Sequence, residues 1–226
     1  MPREAATRPP EAATRTPEAA TRPPEAATRL AQIAVALQWD RGRWLWLLLI
    51  LLGLGVVLGL GDSVGGLLRY DRGAIAAGGW WRLLTAHTVH LDLHHLLLNE
   101  LGLVLMWALF AQDYDGIEWC VIVLSGALAI SSGLWWLSPR VAWYVGASGV
   151  LHSVMAAGCA KHLAERAWDR WILIACLAAK LAYEQLGPHE AAWIVVDAHL
   201  YGAVCGFAVG AALSWRTAII RHRFRP

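Results

Sequence analysis

The sequence AHLYGAVCGFAVGAALSW at residues 198–215 contains no Asp, Glu, Lys or Arg in 18 consecutive positions. Three further stretches share this property over 18 to 21 residues, namely 44–61, 119–139 and 141–160. A helix needs about 20 apolar residues to cross the hydrocarbon core of a bilayer. These stretches therefore predict membrane-spanning helices, and the fold class is that of an all-α membrane protein.

The composition of the whole chain agrees with a membrane protein. Of its 226 residues, 58% are hydrophobic and only 16% are charged, whereas about a quarter of the residues of soluble domains are charged. The net charge of +2 gives no indication of a nucleic-acid partner. The four cysteines lie in apolar runs without a CxxC pair, and the fourteen tryptophans suit the aromatic belts of membrane interfaces.

Six helices are predicted, at about 44–61, 91–112, 118–138, 141–160, 171–187 and 191–215. The fifth is interrupted by Lys180 and Glu184, which are four residues apart and can pair on one helix face. Lys and Arg near the helix ends number nine on one side of the membrane and four on the other. The positive-inside rule then places both termini in the cytoplasm.

The chain outside these helices is short of apolar surface. Residues 1–30 repeat EAATRPP, EAATRTP, EAATRPP and EAATR, with proline in three of the four units and no apolar seam. We expect residues 1–43 to form a disordered extension with a short cytoplasmic lead-in. Residues 44–215 then form the six-helix core, and residues 216–226 form a basic cytoplasmic tail.

Polar side chains at membrane depth are costly, so they are candidates for function. Asn99, Ser148 and His199 each lie about eight residues from the same outer surface, at a depth of about 12 Å for a rise of 1.5 Å per residue. Ser148 is a candidate nucleophile and His199 its base, which is a pair suited to acyl transfer. His95 and Asn99 share one helix face and can stabilise an oxyanion together with the Ser148 backbone N–H. No third triad member is evident.

Asp197 is the acid nearest to His199 in the sequence, but residues two apart on a helix do not face each other. Small residues surround the candidate pair. Gly146, Ala147 and Gly149 flank Ser148, and Gly202, Gly206 and Gly210 form a flat stripe on the sixth helix. Such stripes let helices approach closely, which would bring Ser148 within reach of His199.

These motifs resemble the rhomboid family of intramembrane serine proteases over about residues 44–215. The matching stretches are Trp81-Arg82, His95-x-x-x-Asn99, GASG at 146–149, and Ala198-His199-x-x-Gly202-x-x-x-Gly206. The resemblance implies a six-transmembrane-helix rhomboid-like bundle that acts as a serine endopeptidase without a metal or cofactor. It makes Ser148 and His199 catalytic and assigns His95 and Asn99 to the oxyanion hole. It gives supporting roles to Gly146, Gly149, His152 and Gly202, and His90 matches a position that is often His.

The strings GASGVLH at 146–152 and HLDLHHLLLN at 90–99 are similar to the rhombosortase group. This resemblance implies a bacterial inner-membrane protein that opens to the periplasm and cleaves the C-terminal Gly-Gly sorting tail of membrane-anchored proteins. His152 stands where many rhomboids carry an aromatic residue that stacks on the catalytic histidine. Stacking and simple packing both stay open for it, as does the oligomeric state.

Three alternative functions stay open. The chain can be a general rhomboid protease with other membrane-anchored substrates, or a non-catalytic protein that binds clients. The presence of both Ser148 and His199 argues against the second. A metal transporter can use the histidines as ligands, at positions 87, 90, 94, 95, 152 and 199. The zinc-protease motif HExxH is absent from the sequence.

Overall fold

The computed structural model describes residues 41–163, 168–187 and 195–223. The elements follow in the order α1 (Arg41–Gly59), α2 (Gly61–Leu68), β1 (Tyr70–Asp71), α3 (Arg72–Ala76), α4 (Arg82–Thr85), a 3-10 turn (Ala86–Thr88), α5 (Leu93–Phe110), α6 (Gly116–Trp136), β2 (Trp143–Tyr144), α7 (Ser148–Lys161), α8 (Trp168–Leu186) and α9 (Val196–Arg223). The N-terminal extension, residues 1–43, was predicted to be disordered. Residues 1–40 lie outside the described part of the chain.

Within residues 41–163, 168–187 and 195–223, four helices are long and apolar enough to cross a membrane, in the segments Gly42–Gly59, Leu93–Phe110, Gly116–Trp136 and Val196–Thr217. They belong to α1, α5, α6 and α9, so the prediction of a helical membrane protein is confirmed. The other two long helices differ, because α7 has 14 residues and α8 carries four charged side chains. A count of six spanning helices therefore stays a prediction. Helix α9 continues to Arg223 and takes in most of the predicted basic tail.

Helix α7 is the centre of the bundle and contacts α5, α6, α8 and α9. Nine of its residues are buried, most of them small. Its contact with α9 depends on glycine: a Cβ atom at Gly202 would collide with the carbonyl oxygen of Gly149, and one at Gly206 with that of Ser153. The close approach predicted from the glycine stripe is thus confirmed.

The start of α7 differs from the prediction. A helix was expected from residue 141, but Trp143–Tyr144 forms β2, which pairs antiparallel with β1 through Tyr70 and Tyr144. Gly146 then has φ 119°, outside the helical region. The prediction of helix over 141–147 is therefore wrong, because these residues pair with a distant segment. Ser148 lies in the first turn of α7, so counting helical residues from 141 does not give its depth.

The long loop between α1 and α5 is fixed on α6. Arg72 donates hydrogen bonds to the carbonyl oxygens of Leu134 at 2.6 Å and Trp135 at 3.0 Å, near the end of α6. The last carbonyl groups of a helix have no intrahelical donor. The guanidinium of Arg72 therefore supplies hydrogen bonds to carbonyl oxygens that would otherwise lack a donor. Ser131, within α6, donates to the carbonyl oxygen of Leu83 at 2.6 Å. The loop is therefore a packed part of the fold.

Arg82 of the Trp81-Arg82 motif stabilises this loop by hydrogen bonds to other loop residues. Its side chain is buried, and its Nη1 donates to the carbonyl oxygens of Gly66 at 2.8 Å and Arg69 at 2.9 Å. The arginine of this motif has a structural place in the loop and does not line the cavity described below.

Aspartate side chains fix the starts of α5 and α6. Asp92 accepts a hydrogen bond from the backbone N–H of His95 at 2.8 Å and so caps α5. Asp115 and Glu118 form a reciprocal capping box at the start of α6. Such caps satisfy the free N–H groups of a first helical turn. The cap on α5 sets the position of His95, which lies one turn before Asn99.

Candidate active site

Ser148 and His199 meet where α7 and α9 both begin. Ser148 is the first residue of α7, and His199 lies in the first turn of α9. The Ser148 Oγ and the His199 Nε2 are 2.8 Å apart, which is hydrogen-bond distance, and His199 is only 5% exposed. A serine hydroxyl beside an imidazole is the arrangement that activates a weak oxygen nucleophile.

The backbone turns sharply just before the serine, at Gly146. Its φ of 119° is one that side chains other than glycine rarely adopt. A Cβ atom there would lie 2.8 Å from Cε1 and 3.0 Å from Nε2 of His95. Glycine is therefore required at this position for two reasons, and it lets α5 bring His95 against the segment that leads to Ser148.

The first turn of α7 supplies hydrogen-bond donors. The first four N–H groups of a helix have no intrahelical acceptor, and the residue before Ser148, Ala147, makes no side-chain cap. These N–H groups lie at the positive end of the helix dipole. The backbone N–H of Ser148 is thus oriented as a donor at a place where negative charge is favoured.

His95 and Asn99 add side-chain donors from α5. The His95 Nδ1 accepts a hydrogen bond from the Leu91 N–H at 3.3 Å, so in the neutral ring the proton is on Nε2. The Asn99 Nδ2 donates one hydrogen to the His95 carbonyl oxygen at 2.8 Å, which leaves its second amide hydrogen for another acceptor. Both residues therefore have an N–H group to offer.

A cavity of about 460 Å³ joins these groups. Its polar lining consists mainly of Ser148, His199, His95, Asn99, His152 and Lys180, and much of the remaining wall is apolar. The structure thus gathers the four residues for which the sequence predicts catalytic or oxyanion roles. Those roles themselves stay predictions.

His152 stacks on His199. The ring centroids are 4.2 Å apart and the planes are inclined by 14°. The His152 Nδ1 donates to the Ser148 carbonyl oxygen at 2.7 Å, one helical turn earlier. Of the two possibilities that the sequence left open, stacking is the one observed. The imidazole of His152 holds one face of the His199 ring in place.

Glu184 of α8 is a contact that the sequence did not predict. Its Oε2 accepts a hydrogen bond from the His199 Nδ1 at 2.9 Å, and its Oε1 pairs with Lys180. The i,i+4 pair of Lys180 and Glu184 was predicted and is confirmed. The contact of Glu184 with His199 across the bundle was not predicted. The available signal was a carboxylate within a predicted membrane helix. The acid nearest in sequence, Asp197, instead accepts from the Ser138 Oγ at 2.5 Å.

The other histidines have separate surroundings. The buried His87 Nε2 lies 3.1 Å from the Ala127 carbonyl oxygen, and burial lowers the pKa of His87 to about 4. Burial likewise lowers the pKa of His90 to about 4, and its ring packs edge-on against His95 at 5.2 Å. His94 is exposed. Burial therefore favours the neutral form of both rings.

One cluster in the described part of the chain has the donor atoms for a metal ion. The ligand atoms of His152, Glu184 and His199 lie within 4.8 Å of one another. Both ring nitrogens of His199 already have partners, in Ser148 and Glu184. The His152 Nδ1 is likewise bonded to a carbonyl oxygen. The hydrogen bond between Glu184 and His199 and the stacking of His152 on His199 account for the closeness of these three residues.

Comparison with known proteins identifies the family of the chain. A family profile described as "Rhomboid domain" matches residues 77–216, which is more than half of the chain and includes all the residues around the cavity. No curated protein matches the chain. With its apolar helices, the protein is a multi-pass membrane protein, and the chain belongs to the rhomboid family.

Proposed function

We propose that the protein is an intramembrane serine protease whose nucleophile is Ser148 and whose general base is His199. The observation that carries the proposal is the 2.8 Å hydrogen bond between the Ser148 Oγ and the His199 Nε2 at the wall of a cavity. Membership of the rhomboid family supports it, because rhomboid proteins are generally intramembrane serine proteases.

Acylation follows from this geometry. The Ser148 Oγ attacks the scissile carbonyl carbon while its proton moves to the His199 Nε2. The tetrahedral intermediate collapses when the C–N bond breaks, and His199 returns the proton to the leaving amine nitrogen. Water then attacks the acyl-enzyme with His199 again as the base, which frees the carboxylic acid and restores the Ser148 hydroxyl.

Three donors are suited to the oxyanion of the intermediate. They are the backbone N–H of Ser148, the free amide hydrogen of Asn99, and the Nε2–H of His95. Donors that are already aligned in a site of low water content need little reorganisation during reaction, and removing one typically costs about 10²- to 10³-fold in turnover. The bond between Asn99 and the His95 carbonyl helps to hold the asparagine in place.

The proposed substrates are membrane-anchored proteins with a C-terminal Gly-Gly sorting tail. The local sequence resemblance to the rhombosortase group supports this choice. A helical substrate hides its carbonyl groups, so the cleaved segment must unwind. Glycine disfavours helix by about 1 kcal/mol relative to alanine, which lowers the cost of unwinding. The alternatives are cleavage of other membrane-anchored substrates and client binding without cleavage.

We also propose a bacterial inner-membrane location with cytoplasmic termini and a periplasmic opening for the core at 44–215. The long loop and the starts of α5, α7 and α9 then face the periplasm. Basic groups at the opposite end support this orientation: Arg43 donates to the Ala111 carbonyl, and Lys161 lies 4.7 Å from the ring centroid of Tyr114. Nearby, His162 is 2.8 Å from Asp113.

The test uses the purified full chain in detergent micelles. A fluorophosphonate probe should label the wild type and leave Ser148→Ala unlabelled. In proteoliposomes, a reporter with a Gly-Gly tail should yield a product whose mass ends close to the glycines. Equal labelling of both proteins would sink the nucleophile assignment. Labelling with cleavage only of a reporter that lacks Gly-Gly would retain the protease and reject the proposed substrate.

A further inference from the structure

We propose that Glu184 is a positioning residue for His199, so that the site works as a Ser148–His199–Glu184 triad in place of a two-residue pair. The inference rests on the proposed function, because it concerns how the proposed base is held. The acid comes from α8, whereas the serine and histidine come from α7 and α9. Three helices of the bundle therefore meet at one chain of hydrogen bonds.

The two hydrogen bonds of His199 fix its tautomer. Glu184 Oε2 is 2.9 Å from the His199 Nδ1, and a carboxylate can only accept, so Nδ1 carries the proton. The Nε2 is then left with its lone pair, 2.8 Å from the Ser148 Oγ. This is the tautomer that a general base needs, and its selection is the task of the acid in Ser-His-Asp/Glu sites.

The surroundings strengthen the contact. The side chains of His199 and Glu184 are only 7% and 13% exposed, so water and salt screen their interaction little. The second carboxylate oxygen, Oε1, pairs with Lys180. Both oxygens of Glu184 thus have a partner, which is what a carboxylate removed from water requires. Lys180 is about half exposed and lines the cavity.

His152 completes the support of the imidazole. It stacks on one face of the His199 ring at 4.2 Å, while Glu184 and Ser148 are bonded to the ring nitrogens. Stacking limits tilt of the ring, and the bond to the carboxylate limits its rotation about the side chain. The proton-transfer step needs both restraints, because the Nε2 must stay aimed at the Ser148 hydroxyl.

During acylation the Ser148 proton moves to the His199 Nε2 and leaves an imidazolium. The Glu184 carboxylate keeps its charge and takes no proton, and its negative charge stabilises that cation until the proton passes to the leaving amine. The contribution of Glu184 is therefore larger in the transition state than in the ground state. Its loss should appear in kcat and not in KM.

The rival explanation is that Glu184 only pairs with Lys180 on the helix surface. Such i,i+4 pairs contribute little, and their loss would not change turnover. Asp197 provides a matched control. It is an acid two residues from His199, but its Oδ2 accepts from the Ser138 Oγ, away from the imidazole nitrogens. Asp197→Asn removes the same charge near the site without touching the His199 hydrogen bonds.

The experiment compares Glu184→Gln, Glu184→Asp and Asp197→Asn in the full chain in proteoliposomes. It measures kcat and KM on a transmembrane reporter and the rate at which a fluorophosphonate labels Ser148. Glu184→Gln should lower kcat and the labelling rate by about 10²- to 10⁴-fold with little change in KM. Glu184→Asp should restore part of the loss, and Asp197→Asn should resemble the wild type.

Several outcomes would overturn the triad. One is a Glu184→Gln variant that turns over like Asp197→Asn. Another is a loss of wild-type activity on EDTA treatment, which would make the carboxylate a metal ligand. If Glu184→Gln folds poorly, the double variant Glu184→Gln/Lys180→Gln avoids an unpaired lysine, and wild-type turnover by it would equally refute the triad. An active Ser148→Ala variant would instead refute the proposed function itself.

Discussion

Replacing Gly146 by alanine tests whether the turn before Ser148 sets the catalytic geometry. The added Cβ would lie 2.8 Å from the His95 Cε1, whereas ordinary van der Waals contact begins at 3.4 Å. His95 or the backbone before Ser148 must therefore shift by about 0.6 Å, the difference between these distances. The substitution also forces a non-glycine residue to φ 119°.

The two effects have different expected sizes. Strained backbone of this kind costs about 1–3 kcal/mol and should appear as lower thermal stability. A displacement approaching 1 Å at a reacting group can cost about 10²-fold in rate, so a shift of this size should lower kcat by roughly 10- to 100-fold. The KM should change little, because the rest of the cavity lining remains.

Gly78→Ala is the matched control. Gly78 also has a positive φ, 102°, but a Cβ atom there would meet nothing within 4 Å. Both variants therefore carry backbone strain, and only Gly146→Ala adds the contact with His95. Stability is measured by thermal unfolding in detergent, and kcat by cleavage of a transmembrane reporter. If Gly146→Ala keeps the kcat of Gly78→Ala within about twofold, the packing of His95 on this turn has no part in catalysis.

Four further predictions concern other parts of the molecule. Ser148→Ala, His199→Ala and the double variant should lose reporter cleavage equally, because residues that act as one unit are not additive; a double variant much worse than either single one would contradict this. Asn99→Ala should lower kcat by about 10²-fold with little change in KM, as expected for one oxyanion donor, and a change in KM alone would indicate a packing role. Deletion of residues 1–29 should leave membrane insertion and cleavage unchanged, because the repeat has no apolar surface to dock; loss of cleavage with normal insertion would reveal a functional tail. Acidification from about pH 6.5 to about pH 4 should destabilise the protein, because burial lowers the pKa of His90 to about 4 and in this range the ring gains a proton on unfolding; the melting temperature of the wild type should therefore fall more steeply over this range than that of His90→Phe, and equal slopes would refute this.

The sequence alone determined the helical bundle and the residues at its centre. Long runs without charge can satisfy their backbone inside a membrane only as helices, so α1, α5, α6 and α9 were predictable from composition. The glycine stripe that begins at Gly202 gave the contact between α7 and α9, because it depends on side-chain size and helical period. Four polar residues around the cavity were predictable as polar groups in apolar helices, namely Ser148, His199, His95 and Asn99.

Only the tertiary structure decided two features. The first is the start of α7: residues 141–147 are apolar and compatible with helix, and their extended form depends on pairing with β1, some seventy residues earlier. The second is the place of Glu184. Its spacing from Lys180 gave the local pair, but the contact with His199 arises from how α8 lies against α9. The helical period of the sequence predicts on which face of its helix a residue lies. The packing of the whole bundle decides which residues of other helices that face contacts.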